Sequence, residues 1–400
     1  MKILVINCGS STIKYQLINM ENDEVIAKGR CDMIGYEASN MIYNNVRDGI
    51  KDNFDVAMPT HKEGMKVLLD TLLDENKGVL KSLDEIYAVG HRVVHGGDKF
   101  STAVLVNDEV IKEISDLSEL APLHNPGAVM GIEAIRDVAP NLSNVVVFDT
   151  AFHQTIPDYN YLYALNPKYH EKYGIRKYGF HGTSYMYILN RLTEILNKPK
   201  KEINAVVCHL GGGASCCAIR NGKSYDTSMG FTPHEGLVME TRCGDIDATA
   251  VTKIMEKENL TPAEMERILN KESGRFGLST IGDQRELINA ANSGNKVAML
   301  TRKIQCNRTR KYIGAYMAEL NRVDAIVFTG GVAENNFCER LYTVQDMECL
   351  GVVIDRDLNF NGSGKESKIS TEDSKIPVYV IPTNEELEIA KQTLDVVSQC

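Results

Sequence analysis

One arrangement in this chain occurs twice and restricts its fold more than any other feature. At residues 5–14, "VINCGSSTIK" runs as an apolar strand, breaks on Asn7, Gly9, Ser10, Ser11 and Thr12, and resumes at Ile13. From residue 203, "INAVVCHLGGGASCCAIRNGKSYD" again reads strand, glycine turn, strand, Asn-Gly turn, strand. Glycine admits φ > 0, and a turn of glycine and hydroxyl residues aims amide and hydroxyl donors at one spot that suits an anion. A plain hairpin turn would explain either copy alone. Two copies half a chain apart predict a duplicated domain whose two phosphate-type turns face each other across a cleft. A chain of 400 residues exceeds the size of most single cores, so two domains are expected. They are drawn as 1–150, completed by 383–400, and 151–382.

Between the modules, helical periodicity marks 61–73, where Met65, Leu68, Leu69 and Leu72 recur on one face. "IYAVGHRVVHGG" is a strand entering a glycine loop, 108–120 and 127–138 read as amphipathic helices, and "NVVVFDTAFH" is a buried strand ending on Asp149. A long helix over 296–320 and the strand of "DAIVFTGGVAEN" follow, and 361–375 reads as a polar surface loop. Alternating strands and helices imply an α/β layer architecture. A net charge of −10 argues against a nucleic-acid partner. Ten cysteines without C-x-x-C spacing support neither a zinc ribbon nor a disulfide framework, and read as core filler. With no leader and no apolar run near 18 residues, a cytoplasmic chain with no membrane partner is expected.

The motifs of P-loop enzymes, dinucleotide folds, protein kinases and serine hydrolases are missing. What remains is polar residues at strand ends, where open α/β sheets bind ligands. Asp149 emerges from four apolar residues and reads either as a cap or as a carboxylate that holds a metal or orients a nucleophile. In "VIPTNEELEIA", Thr383 and Glu386 have capping-box spacing, which leaves Glu385 as the candidate metal contact. Arg92, Arg242, His124 and His181 sit in loops marked by glycine or proline. Joining two anions requires cations, and arginine offers a fork matched to carboxylate and phosphate.

The combination resembles the acetate kinase family of the actin and sugar kinase superfamily. The resemblance is carried in order by "VINCGSSTIKYQL", "GHRVVHGG", "ELAPLHNPG", "VVFDTAFHQTIP", "RKYGFHGTSY", "CHLGGGAS", "DTSMGFTPHEGL", "TRCGDID", "FTGGVAEN" and "VIPTNEEL". It implies two actin-like (ribonuclease H-like) domains with mixed sheets flanked by helices and an active site in the cleft. It also implies a Mg²⁺-dependent homodimer, with Mn²⁺ as an alternative ion, exchanging a phosphoryl group between ATP/ADP and acetate/acetyl phosphate. Carried over by position, Asn7 and Glu385 hold the metal, while Asp149, Arg242, His181 and Arg92 are catalytic, Arg92 also contacting the acetate carboxylate. Val94, Leu123, His124, Phe180 and Pro233 bind the acid. Ser10, Thr12, Lys14, His209, Leu210, Gly211, Gly212, Gly213, Asp283, Gln284, Arg285, Gly331, Val332, Ala333, Glu334 and Asn335 handle the nucleotide.

Some positions depart from the family pattern. Gly212 stands where an asparagine is usual, Glu240 where a glycine is usual, Thr12 where serine is frequent, and "FTGGVAEN" differs from "FTAGIGEN". The departures fall on the nucleotide side and put the donor in question. Propionate or another short acid as acceptor, and pyrophosphate or another nucleotide as donor, are the alternative enzyme readings. A nucleotide-binding regulatory protein on the same fold is the non-enzyme one.

Overall fold

The computed structural model describes residues 1–399. The chain divides into two compact units, Met1–Phe152 with Asn384–Cys400, and His153–Thr383.

The first unit contains β1 (Lys2–Cys8), β2 (Ile13–Asn19), β3 (Glu24–Asp32), β4 (Asn40–Asn45), β5 (Ile50–Asp55), β6 (Ile86–Val93), β7 (Val104–Leu105) and β8 (Asn144–Phe148). They form one sheet in the order β5-β4-β3-β2-β1-β6-β8-β7. β1 is antiparallel to β2 and parallel to β6, and β6 is parallel to β8. All five residues of β8 are buried, as expected of a strand covered on both faces. One core packs Leu4, Ile6, Tyr15 and Leu17 against Met65, Leu68 and Leu72 of the helix His61–Leu73. That helix has the predicted bounds, and Thr60 caps it by accepting from Lys62 N–H.

The second unit contains β9 (Ala205–Leu210), β10 (Ala214–Arg220), β11 (Lys223–Thr227), β12 (Ala325–Thr329), β13 (Ser367–Lys368) and β14 (Val378–Val380). Their order is β11-β10-β9-β12-β14-β13. β9 is antiparallel to β10 and parallel to β12, β12 is parallel to β14, and β13 closes the edge antiparallel to β14. Strand for strand this matches β3-β2-β1-β6-β8-β7, including the antiparallel edge strand. The repeat seen in the sequence is therefore a repeat of topology, with mixed sheets flanked by helices in both units.

Two local expectations are corrected. The segment 361–375 is not only surface loop: β13 lies within it, and Ile369 and Ser370 are fully buried. Charged residues around a two-residue edge strand mask it in the sequence. The Thr383–Glu386 capping box does not form. Asn384 caps the helix Glu385–Val397, its Oδ1 accepting from Leu387 N–H at 3.0 Å, while Thr383 Oγ1 hydrogen-bonds Ser184 Oγ at 2.8 Å. A one-residue shift of the cap puts Glu385 at the first helical position and frees Glu386.

Candidate active site

In the first unit, antiparallel pairing places Asn7 directly opposite Lys14, so both side chains rise from one face of the sheet. The turn between them closes through Gly9 N–H to Thr12 O at 2.8 Å. The helix Asn125–Val138 presses on this turn: a Cβ on Gly127 would lie 2.8 Å from the Gly9 carbonyl carbon, and one on Gly131 2.3 Å from Cys8 Sγ. His61 Nε2 also meets Gly9 O at 2.8 Å. The break in the first strand is thus a braced turn, with Ser10 exposed and Thr12 half-buried at its rim. Asn7 and Lys14 line a cavity of about 500 Å³ with Lys28, Arg30 and Glu386. Three cations beside an amide and a carboxylate suit a polyphosphate carrying a hard divalent ion.

Arg92 and Asp149 extend from the ends of the parallel neighbours β6 and β8. The guanidinium grips the carboxylate with two bonds, Nε to Oδ1 at 3.0 Å and Nη2 to Oδ2 at 2.6 Å. The Asp149 carboxylate holds Arg92 well above its ordinary pKa, against the opposing effect of burial, and Glu385 and Glu386 add to the same field. Asp149 is 2% exposed. Buried and paired, it fixes the guanidinium and leaves Nη1 for another acceptor. Val94 is half-buried, while Leu123 and His124 are exposed at the head of the helix Asn125–Val138.

In the second unit, His181 precedes the helix Gly182–Ile195 with φ 59°. Its Nδ1 hydrogen-bonds Ser215 Oγ at 2.8 Å, and its ring stacks on His209 with centroids 4.2 Å apart. A Cβ built on Gly213 would lie 3.5 Å from His181 Nε2 and 3.8 Å from Arg242 Nη1, so the turn, the imidazole and the guanidinium converge. Arg242 is partly dehydrated, which lowers its pKa, and its Nη1 donates to Pro233 O at 3.1 Å. A cation so placed acts strongly on an incoming anion. Phe180 is buried and its carbonyl meets His153 Nε2 at 2.9 Å.

The chain belongs to the acetokinase family. That family's model matches residues 2–391. The protein is 51% identical over 400 residues to the acetate kinase of Dictyoglomus turgidum, covering 100% of this chain and 98% of that one. It is 52% identical over 402 residues to the acetate kinase of Thermotoga maritima, covering 100% and 99%. Among solved structures, Porphyromonas gingivalis acetate kinase superposes with TM-score 0.95 at 43% identity, covering 99% of each chain. A propionate kinase from Francisella tularensis superposes with TM-score 0.92 at 39% identity, also covering 99% of each.

Within this acetokinase, the expected nucleotide residues have varied surroundings. Gly211 N–H closes the turn onto Gly213 O at 2.9 Å, and Leu210 is buried beneath it. His209 Nδ1 bonds Ser184 Oγ at 2.9 Å. A Cβ on Gly212 would come 3.0 Å from Glu240 Oε2, so the two departures from the family pattern are neighbours, the carboxylate lying over the bare glycine. Asp283 caps the helix Gln284–Asn292, and the Arg285 side chain is 90% exposed. Gln284 is 7% exposed, and neither amide atom has a hydrogen-bond partner, so its full bonding capacity is unspent. Gly331, Val332, Ala333, Glu334 and Asn335 form one short helix. The Glu334 carboxylate turns back to accept from Gly330 N–H at 2.8 Å and Thr383 N–H at 3.0 Å, a local clamp.

Three groups at the site are not marked by the sequence as functional. Glu386, whose spacing from Thr383 predicts a cap, instead shares a cavity with Asn7. Arg275, 2% exposed, lies under the second turn and donates to Gly282 O at 3.1 Å and toward Gly211 O at 3.5 Å. Ser215 holds His181. Nothing in the sequence flagged Arg275, but Ser215 is the first polar residue after the glycine turn.

Among the described residues no cluster of three His, Cys, Asp or Glu side chains could cage a metal. Mg²⁺ does not need one: it takes one or two carboxylates, with waters and substrate phosphates completing its octahedron. Asn7 and Glu386 line one cavity, while Glu385 precedes Glu386 at the head of its helix and acts on the Arg92 guanidinium; these side chains could supply oxygen donors of that kind.

Proposed function

We propose that this acetokinase transfers the terminal phosphoryl group of ATP directly and reversibly to acetate, giving acetyl phosphate and ADP. An acetate oxygen attacks the γ-phosphorus, the bond from that phosphorus to the β,γ-bridging oxygen breaks, and ADP leaves with the electron pair. The observation that carries this reading is the convergence of His181 Nε2 and Arg242 Nη1 on the Gly211–Gly213 turn. In phosphoryl transfer the protein mainly positions reactants and offsets charge on the equatorial oxygens, which donors in that place would do. Arg92, oriented by Asp149, would receive the acetate carboxylate. Asn7 and Glu385, with Glu386, would hold Mg²⁺, which when bound neutralises charge on the β- and γ-phosphoryl oxygens. Lys14 would meet the phosphates. A homodimer and a cytoplasmic site of action belong to the same proposal and rest on family resemblance. No helix among the described residues is long and apolar enough to cross a membrane.

A second acceptor, propionate, is favoured by the structural match to the Francisella tularensis propionate kinase. Incubating the protein with Mg·ATP, acetate and hydroxylamine traps an acyl phosphate as a coloured hydroxamate. Formation dependent on both acetate and ATP is expected, and its absence with every short acid and every energy-rich donor would end the proposal.

A further inference from the structure

The Tyr185, Ser215 and His181 side chains form a continuous hydrogen-bonded chain that reaches the convergence point. Tyr185 OH lies 2.5 Å from Ser215 Oγ, and Ser215 Oγ lies 2.8 Å from His181 Nδ1. Tyr185 and Ser215 are both 0% exposed. Tyr185 stands on the helix Gly182–Ile195, packed edge-on by the His153 ring at 5.6 Å. Ser215 stands on β10, paired in register with His209, whose ring in turn stacks on His181 with an interplanar angle of 20°. The imidazole is held in its plane by one face and at one nitrogen by a hydroxyl.

The proton order along this chain follows from elementary acidity. Burial pushes the Tyr185 hydroxyl well above its ordinary pKa, so it stays protonated. A phenol is the better donor and an aliphatic hydroxyl the better acceptor, so the stronger arrangement runs from Tyr185 O–H to Ser215 Oγ. Serine has one proton, which is then directed at the imidazole lone pair on Nδ1, and bonds in such a series reinforce each other. A neutral imidazole that accepts at Nδ1 carries its proton at Nε2, the atom facing Gly213 and Arg242.

We propose that Ser215 and Tyr185 are positioning residues that lock His181 as the Nε2–H tautomer, making it a hydrogen-bond donor to the transferring phosphoryl group. The proposal rests on the role given to His181 above and adds what sets it. With the opposite tautomer the ring would present a lone pair to an anion and repel it.

The test uses the full chain labelled with ¹⁵N and a long-range ¹H–¹⁵N spectrum, which separates protonated from unprotonated imidazole nitrogens; His181→Gln assigns the resonances. The wild type is expected to show Nε2 protonated and Nδ1 bare. Ser215→Ala should mix the tautomers and lower kcat by roughly 2- to 13-fold, the worth of one neutral hydrogen bond, with little change in KM. Ser215→Thr, which keeps the hydroxyl, should restore both. Tyr185→Phe, which keeps the ring, should shift both in the same direction as Ser215→Ala and provides the same readout should that variant fail to fold. A wild-type ring protonated at Nδ1, a tautomer ratio indifferent to both variants, or a changed ratio with unchanged kcat overturns the proposal. A wild type with this tautomer but no acyl phosphate formation instead overturns the functional reading, leaving the spectroscopic result intact.

Discussion

Arg242 and Asp149 illustrate two uses of charge in one protein. Asp149 meets Arg92 through two bonds and is nearly inaccessible, an arrangement suited to orienting that guanidinium. Arg242 bonds a backbone carbonyl and keeps its charge directed toward Gly213. Removal of a cation that stabilises a phosphoryl transition state costs on the order of 10³ to 10⁵ in rate. Arg242→Ala is accordingly expected to lose hydroxamate formation on that scale while KM for acetate and ATP changes little, as steady-state kinetics would show. Glu240 works the other way. Its carboxylate lies 3.0 Å from where a Gly212 Cβ would be, adding negative charge beside the turn that we propose meets the donor phosphates. Glu240→Gly should tighten Mg·ADP binding by roughly 3- to 10-fold, the worth of one screened like-charge contact. An unchanged dissociation constant in calorimetric titration would place the phosphates elsewhere.

At the scale of elements, glycines set how closely a helix can brace a turn. Gly127→Ala would drive a methyl to 2.8 Å from the Gly9 backbone, and a packed helix cannot yield cheaply. The turn carrying Asn7 and Lys14 should shift, lowering kcat/KM for ATP by about 10- to 100-fold with a stability loss of about 1–3 kcal/mol, measurable by kinetics and urea unfolding. The pairing of β6 with β8 carries a pH dependence. His91 on β6 is 2% exposed and hydrogen-bonds Asn144 Oδ1 on β8 at 2.8 Å. Burial pushes its pKa from 6.5 down to about 4. The unfolded chain therefore binds this proton near pH 6.5 while the folded one resists until about pH 4, so His91 erodes stability as pH falls through that window and has no effect above it. The loss approaches about 3 kcal/mol at the acid end. Urea midpoints at pH 7 and pH 4.5 should differ less for His91→Gln than for the wild type.

For the molecule as a whole, substrate choice is the property most open to measurement. A methylene in an apolar pocket is worth about 1–3 kcal/mol, so kcat/KM for propionate should fall below that for acetate by roughly 10- to 200-fold. Equal or inverted values would favour the propionate reading. Much of the architecture was legible from residues 1–20 and 203–227, because a strand interrupted by a glycine turn has few ways to pair and the period-2 burial of β2 and the apolar run of β9 are local signals. Asp149, Arg92 and His181 could be nominated because strand ends and glycine loops are written in adjacent residues. What the tertiary structure decided was contact between residues far apart in the chain: Arg92 with Asp149, His181 with Ser215 and Tyr185, Glu240 over Gly212, and Arg275 beneath the second turn. It also moved the cap from Thr383 to Asn384, a choice made by Ser184 and Glu334, which claim Thr383. Backbone periodicity and turn chemistry are short-range and act within a few residues. Pairing of buried charges and hydroxyls depends on which strand ends the fold brings side by side, and no local pattern encodes that.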